Sequence, residues 1–196
     1  MAVSFLKKFL GGLSYNEIES YTSKARTWYL KELQGLVMNR QRILRDNETI
    51  QKSRLLPGRM FMFIYDPKHK DTLPYYDRFP LVMVVEKVKG HPGFYGLNLH
   101  YLDYRTRGIL LGKLLEFANN KKFDETTRLQ LSYNMLKSAG KLSAFKPCFK
   151  HYLPGQIQSQ IKLVPAEYWE TASFFPSEQF KKASKRQVFS DSRRMI

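Results

Sequence analysis

Residues 57–102, PGRMFMFIYDPKHKDTLPYYDRFPLVMVVEKVKGHPGFYGLNLHYL, decide the fold. This stretch contains three apolar and aromatic runs that turn-forming residues separate. Because β-branched and aromatic side chains favour strands, we expect strands at 60–65, 79–88 and 94–102. Three strands so close together predict a small antiparallel β-barrel or curled sheet at the centre of the chain.

A fourth strand is expected at 157–163, where the side chains alternate in character. The residues predicted to face the core are Ile157, Ser159, Ile161 and Leu163, and those predicted to face away are Gln158, Gln160 and Lys162. A period of two residues is typical of a half-buried strand. We expect this strand to join the central sheet from a distance.

Helices are expected on both sides of this sheet. Ser14 and Glu17 form a capping box, and an apolar stripe at spacings of three and four predicts a helix over 14–45. The later helices are predicted at 104–118 and 124–138, with a short helical segment at 142–152. The fold class is therefore α+β, with an N-terminal helix and several C-terminal helices flanking the sheet.

The chain divides by composition into three parts. We predict an N-terminal helical arm at 1–56, a central β-barrel with helices at 57–175, and a basic C-terminal tail at 176–196. The single cysteine, Cys148, excludes an intramolecular disulfide framework and a cysteine-based zinc cluster. No apolar run approaches the roughly 20 residues that a membrane span requires.

The charge is strongly positive and unevenly distributed. The 196 residues carry a formal net charge of +16. Residues 1–60 carry 11 basic and 5 acidic side chains, residues 61–120 carry 8 and 6, and residues 121–196 carry 14 and 6. Such an excess favours a polyanionic partner, which is either nucleic acid, an acidic membrane surface or an acidic protein. The candidate contact residues are Lys24, Lys31, Arg40, Arg42, Arg45, Lys181, Lys182, Lys185, Arg186, Arg193 and Arg194.

Aromatic side chains are concentrated in the predicted sheet. Rings exposed on an open barrel stack on unpaired bases, and Tyr75, Tyr76 and Tyr101 are candidates for such contacts. The same rings can instead fill a small core or an assembly interface, where aromatics supply a large buried area. Both interpretations stay open at this point.

Catalytic chemistry finds weak support in the sequence. Gly-rich phosphate loops and a nucleophile elbow are missing from it. A carboxylate cluster that binds Mg²⁺ would have to draw on Asp66, Asp71, Asp77 and Asp103, with Lys87 or His100 beside it. Aspartates in loops more commonly form turns, and His100 is also explained as an ordinary hydrogen-bonded histidine on a strand. We therefore assign no catalytic residue, metal or cofactor.

Several motifs resemble a known family. The stretch that opens at Pro57, with its Tyr65-Asp66-Pro67 turn and LPYYD element (73–77), is followed by GLNLHY at 96–101. With KFDETTRLQLSYNMLK and the final DSR, these motifs resemble uncharacterised proteins of large contractile-tailed bacteriophages, including cyanophages, over residues 15–194. The resemblance implies a role in the virion or its assembly and carries no catalytic residue.

These observations favour a non-enzymatic structural or assembly protein of a contractile-tailed phage, in the tail, baseplate or neck. Its basic helical arms would hold neighbouring virion proteins within a multi-subunit assembly. The alternative is a DNA-binding protein that caps or protects packaged DNA ends, and a metal-dependent nuclease is a third possibility. We expect the protein to reside in the virion after synthesis in the host cytoplasm.

Overall fold

The fold is described by a computed structural model. The residues that it describes are 22–32, 40, 55–118, 133–138, 143–165 and 168–195. The secondary structure is mixed, which confirms the α+β class. None of the helices within the described ranges has both the length and the apolar character that crossing a bilayer requires.

Five short strands form the central antiparallel sheet. In spatial order they are β5 (Phe149–Tyr152), β4 (Phe94–Asn98), β3 (Leu81–Lys87), β1 (Met60–Met62) and β6 (Lys162–Val164). Every neighbouring pair is antiparallel. Because β5 and β6 occupy opposite edges, the sheet is open and does not form the barrel that we considered from the sequence.

The sheet is buried on both faces. Met60, Met62, Leu81 and Met83 lie in a large hydrophobic cluster, which also contains the helical residues Leu110, Leu111, Leu114, Ala172 and Phe174. The alternate side chains of the same strands form a second, smaller cluster of Phe61, Phe63, Tyr65, Val82, Val84, Phe94 and Tyr152. Strands covered on both faces read as nearly continuous apolar runs, as 60–65 and 81–85 do.

Close packing explains one glycine in this sheet. Gly96 on β4 lies opposite Val84, next to the irregular register between Val84 and Glu86 on β3. A Cβ atom at position 96 would overlap the side chain of Val82. The position therefore requires glycine because two strands approach each other closely there.

Within the described ranges, four helices with defined bounds accompany the sheet. They are α1 (Ser23–Glu32), α2 (Tyr104–Ala118), α3 (Trp169–Phe174) and α4 (Lys185–Arg194), and residues 133–138 are also helical. Tyr29 of α1 stacks on Phe174 of α3 with ring centroids 5.2 Å apart. This contact and the Tyr29–Thr171 hydrogen bond hold α1 against α3.

The basic C-terminal segment folds back onto the rest of the chain. The short strand β7 (Phe180–Lys181) pairs with β2 (Tyr76–Asp77) as a separate antiparallel ladder. The side chain of Ser184 caps α4, and Val188 of this helix is fully buried in the large cluster. The division of the chain at residues 56 and 175 into an arm, a centre and a tail stays a prediction.

Two local predictions were wrong in part. The segment predicted as helical at 142–152 ends in the edge strand β5, after a 3₁₀ helix at Ser143–Cys148. The predicted strand at 157–163 is regular only over Lys162–Val164, where it joins the central sheet beside β1 as expected. Its predicted apolar face is confirmed, because Ile157, Ile161 and Leu163 pack on the smaller cluster, but Lys162 was wrongly predicted to face solvent. Lys162 and Val164 are buried, whereas Leu163 contacts the smaller cluster on the opposite face.

Candidate functional site

Two helices present basic faces to solvent. On α1, Lys24 and Lys31 are exposed and border a shallow depression with Trp28, which is half-buried. On α4, Arg186, Arg193 and Arg194 border a second depression with Ser190. Because residues three or four apart in an α-helix share a face, the basic residues of each helix lie together on one face of it.

The charge on these faces is not neutralised within the described part of the chain. The four ion pairs found there use none of these five side chains. Of the other predicted contact residues, Lys181 is also exposed, whereas Arg42 and Arg45 lie outside the described residues. Arg193 Nε donates only a long hydrogen bond of 3.4 Å to the Phe189 carbonyl oxygen of its own helix. The charges of these exposed side chains are therefore available to an anionic partner, although that role remains a prediction.

Three further basic residues, which the sequence placed in the same interface, have internal partners. The Arg40 guanidinium donates to the carbonyl oxygens of Ser177 and Glu178, at 2.8 and 2.9 Å. The Lys185 ammonium group contacts the Glu178 carboxylate and the Tyr104 hydroxyl. Both side chains thus connect separate parts of the fold.

Lys182 is the third of these residues. Its Nζ atom donates to the carbonyl oxygens of Lys70, Asp71 and Leu73, at 2.7, 2.9 and 3.2 Å. The Lys182 backbone is left-handed, with φ of 66°, which is uncommon for a residue with a side chain. The turn at Lys182 therefore aims this lysine at the loop that precedes β2, and its charge is engaged there.

An aromatic cleft of about 320 Å³ opens between the β1–β2 connection and β5. The rings that line it are Tyr65, Tyr75, Tyr76, Tyr101, Phe149 and Tyr152. Lys68, His69, Lys150 and His151 add basic groups. Of the three tyrosines predicted to contact bases, Tyr75 and Tyr76 are partly exposed, whereas Tyr101 is 4% exposed and forms part of the wall.

Lys150 is the central cation of this cleft. Its Nζ atom lies 4.2 Å from the centre of the Tyr101 ring, a cation–π contact. Burial lowers the pKa of Lys150 below that of an exposed lysine. No carboxylate of the described residues forms an ion pair with it. The sequence did not single out Lys150, because only the pairing of β5 with β4 brings it to the aromatic wall.

Asp77, His100 and Ser177 form a buried polar network beside the cleft. His100 Nδ1 lies 2.6 Å from Asp77 Oδ2, and His100 Nε2 lies 3.1 Å from Ser177 Oγ. Because an ionised carboxylate only accepts hydrogen bonds, Nδ1 carries a proton. Burial alone raises the pKa of Asp77, but His100 and two backbone N–H donors outweigh it, so this pKa lies below its usual value.

The connectivity of this network is that of a serine hydrolase triad. Ser177 and His100 are nevertheless fully buried, and neither lines the cleft. Their contacts connect the turn after β4, strand β2 and the segment before β7. His100 is thus the hydrogen-bonded histidine that we considered, although it lies in the 3₁₀ helix Leu99–Tyr101 and not on a strand.

The aspartates considered for a metal site have separate partners. Asp66 pairs with Lys70 at 2.8 Å, and Asp103 accepts a hydrogen bond from the backbone N–H of Thr106 at the start of α2. Asp71 and Lys87 are exposed. Within the described ranges, no group of three or more His, Cys, Asp or Glu side chains is arranged to hold a metal ion.

Comparison with known proteins identifies the family. The profile of the family described as "Phage T4 terminal DNA protecting protein" matches residues 12–195, which is most of the chain. The chain belongs to this family. No curated protein and no solved structure gives a significant match.

This membership confirms the phage origin implied by the motif resemblance. The family description names DNA protection and does not name the tail, baseplate or neck. It therefore favours the second function that we considered from the sequence, protection of DNA ends, over the first.

Proposed function

We propose that this protein binds the ends of phage DNA without cleaving it and protects them within the virion. The observation that carries the proposal is the pair of exposed, uncompensated basic faces on α1 and α4. Lysine and arginine on such faces bind phosphates and release the counterions condensed on DNA. The family's printed description supports DNA ends as the target.

Arginine suits this role on α4. Its planar guanidinium donates two parallel hydrogen bonds to one phosphate group. Arg186, Arg193 and Arg194 lie within one stretch of helix and share the same face. We propose that this face contacts the phosphates of one strand, while Lys24 and Lys31 of α1 supply additional charge.

Contacts with other virion proteins remain part of the proposal. The protein would be made in the host cytoplasm and would enter the particle together with the DNA ends. Basic faces that bind phosphate can also contact acidic protein surfaces, which is how the arms would hold neighbouring subunits.

The test compares DNA with ends and DNA without ends. A blunt linear duplex and a covalently closed dumbbell of the same sequence are each incubated with the full-length protein. Binding is measured by competition, and protection is measured with an exonuclease that starts only at free ends. We expect tighter binding to the linear duplex and slower degradation of it.

The variant for this test is Arg186→Gln/Arg193→Gln/Arg194→Gln, which removes three exposed charges. We expect it to lose most of the protection. The matched control is Lys87→Gln/Lys89→Gln/Lys113→Gln, which removes three charges elsewhere. Equal affinity of the wild-type protein for linear and closed DNA would refute end binding.

A further inference from the structure

We propose that the aromatic cleft binds the terminal nucleotide of a DNA strand, with its base against Tyr76 and its phosphate at Lys150. This inference rests on the proposed function, because it specifies what the protein recognises at a DNA end. The basic faces of α1 and α4 would bind duplex phosphates, which are present along the whole molecule. The cleft would supply the preference for an end.

The size of the cleft favours one nucleotide. Its volume of about 320 Å³ lies at the lower end of the range for small-molecule sites, roughly 300–1,000 Å³. Such a cavity accepts a base with its sugar and phosphate, whereas a base-paired duplex is too wide to enter. An occupant from DNA must therefore be unpaired, as a nucleotide in an overhang or at a frayed end is.

The lining suits a ligand that is aromatic at one side and anionic at the other. Tyr76 is partly exposed in the cleft, and no other ring of the described residues stacks on it. A base has a flat π face that stacks on such a ring without sequence preference. Tyr75 is less available, because its ring already packs against the Tyr101 ring, with ring centroids 6.0 Å apart.

The charges favour phosphate. Lys150 is a half-buried cation without a carboxylate partner in the described structure. His151 and Lys68 line the same cleft. The acidic member of the described lining, Asp77, is 4% exposed and already accepts hydrogen bonds from His100 and from backbone N–H groups. An incoming phosphate would therefore meet positive charge and little repulsion.

The first experiment measures binding to four duplexes that differ only at their ends. One has a single unpaired 5′-nucleotide, one a single unpaired 3′-nucleotide, one is blunt and one is a closed dumbbell. We expect the wild-type protein to bind at least one overhang about tenfold more tightly than the blunt end, which is the magnitude that stacking of one base contributes. Lys150→Gln and Tyr76→Leu should each reduce this advantage, whereas Lys113→Gln should keep it.

The second experiment does not depend on a variant that must fold. A 5-iododeoxyuridine placed in the overhang is photo-crosslinked to the wild-type protein, and the site is mapped by mass spectrometry. We expect labelling within the tryptic peptide 71–78, DTLPYYDR, which contains Tyr75 and Tyr76. Free 5-iododeoxyuridine monophosphate is used in parallel, to separate a free nucleotide from a DNA terminus as the source of the ligand.

The outcomes distinguish this inference from the proposed function. End binding with labelling outside the cleft, or with an overhang preference that both variants retain, would overturn the cleft assignment alone. Labelling by the free nucleotide without labelling by DNA would also overturn it. Equal binding of linear and closed DNA would refute end binding, and labelling of peptide 71–78 by the overhang would then still place a DNA nucleotide in the cleft.

Discussion

His100 Nδ1 lies 2.6 Å from Asp77 Oδ2, and both side chains are withdrawn from solvent. Asp77 also accepts hydrogen bonds from the backbone N–H groups of Phe79 and Gln179 and from the Asn98 side chain. One carboxylate thus connects the short β2–β7 ladder to the central sheet. The arrangement makes the stability of the fold dependent on the charge of Asp77.

Asp77→Asn should destabilise the protein by about 3 kcal/mol at pH 7, because it removes the charge from a buried, paired site. The pKa of Asp77 is lower in the folded state than in the unfolded chain. The stabilising contribution is therefore complete above the unfolded pKa of about 3.9 and is lost as the pH falls through the folded pKa.

Urea denaturation at pH 7, 5, 4 and 3 measures this effect. The difference in unfolding free energy between the wild type and Asp77→Asn should be constant from pH 7 to 5 and should shrink below pH 4. Asp71→Asn is the control, because Asp71 is exposed. A difference that stayed the same down to pH 3 would contradict the assigned role of the carboxylate.

Arg107 is a second buried charge with a structural role. It is fully buried on α2 and donates to the carbonyl oxygens of Leu102, Ser173 and His100 at 2.7, 2.7 and 3.0 Å. Lysine cannot reproduce this planar fork. We expect Arg107→Lys to lower the free energy of unfolding by about 2–4 kcal/mol, since it leaves buried carbonyls without donors. Arg105→Lys, on the exposed side of the same helix, should change it by less than about 0.5 kcal/mol.

Lys182 and its neighbour Lys181 should respond differently to the same substitution. Lys182→Met removes three hydrogen bonds to the loop before β2 and should destabilise the protein by about 1 kcal/mol, because the site is exposed. Lys181→Met should leave thermal stability unchanged and weaken DNA binding slightly. Parallel melting curves and DNA titrations separate the two effects, and equal melting temperatures for the two variants would show that the Lys182 contacts contribute little.

The sequence predicts the centre of this fold well. The runs that contain β1, β3 and β4 are apolar and close in the chain, so local pattern locates all three strands. All three strands are shorter than expected, and β4 ends early because Leu99–Tyr101 form a 3₁₀ helix. Strand β5 was missed, since its pairing with β4 depends on contacts about 55 residues away. The two-residue strands β2 and β7 are too short to produce a periodic signal.

The candidate site was predictable only in part. Basic composition indicated the helices α1 and α4, whose predicted contact residues are exposed. It did not distinguish these residues from Arg40, Lys182 and Lys185, whose charges have internal partners. That distinction depends on tertiary contacts. Aromatic density indicated Tyr75 and Tyr76, whereas the cation beside them, Lys150, lies more than 70 residues away in sequence.

Salt dependence of DNA binding provides the last prediction. If Arg186, Arg193 and Arg194 each contact a phosphate, the logarithm of the association constant should fall linearly with the logarithm of salt concentration, and each contact should contribute about 0.9 to the slope. Arg193→Gln should therefore reduce the magnitude of the slope by about one and weaken binding to all sequences equally.

Lys150→Gln should reduce the slope only for duplexes with an unpaired terminal nucleotide, because Lys150 lies in the cleft and not on the helix faces. Titrations of each variant from 50 to 200 mM salt measure both slopes. A slope that Arg193→Gln leaves unchanged would show that Arg193 contacts no phosphate. A Lys150→Gln effect on closed DNA would show that Lys150 contacts duplex phosphates.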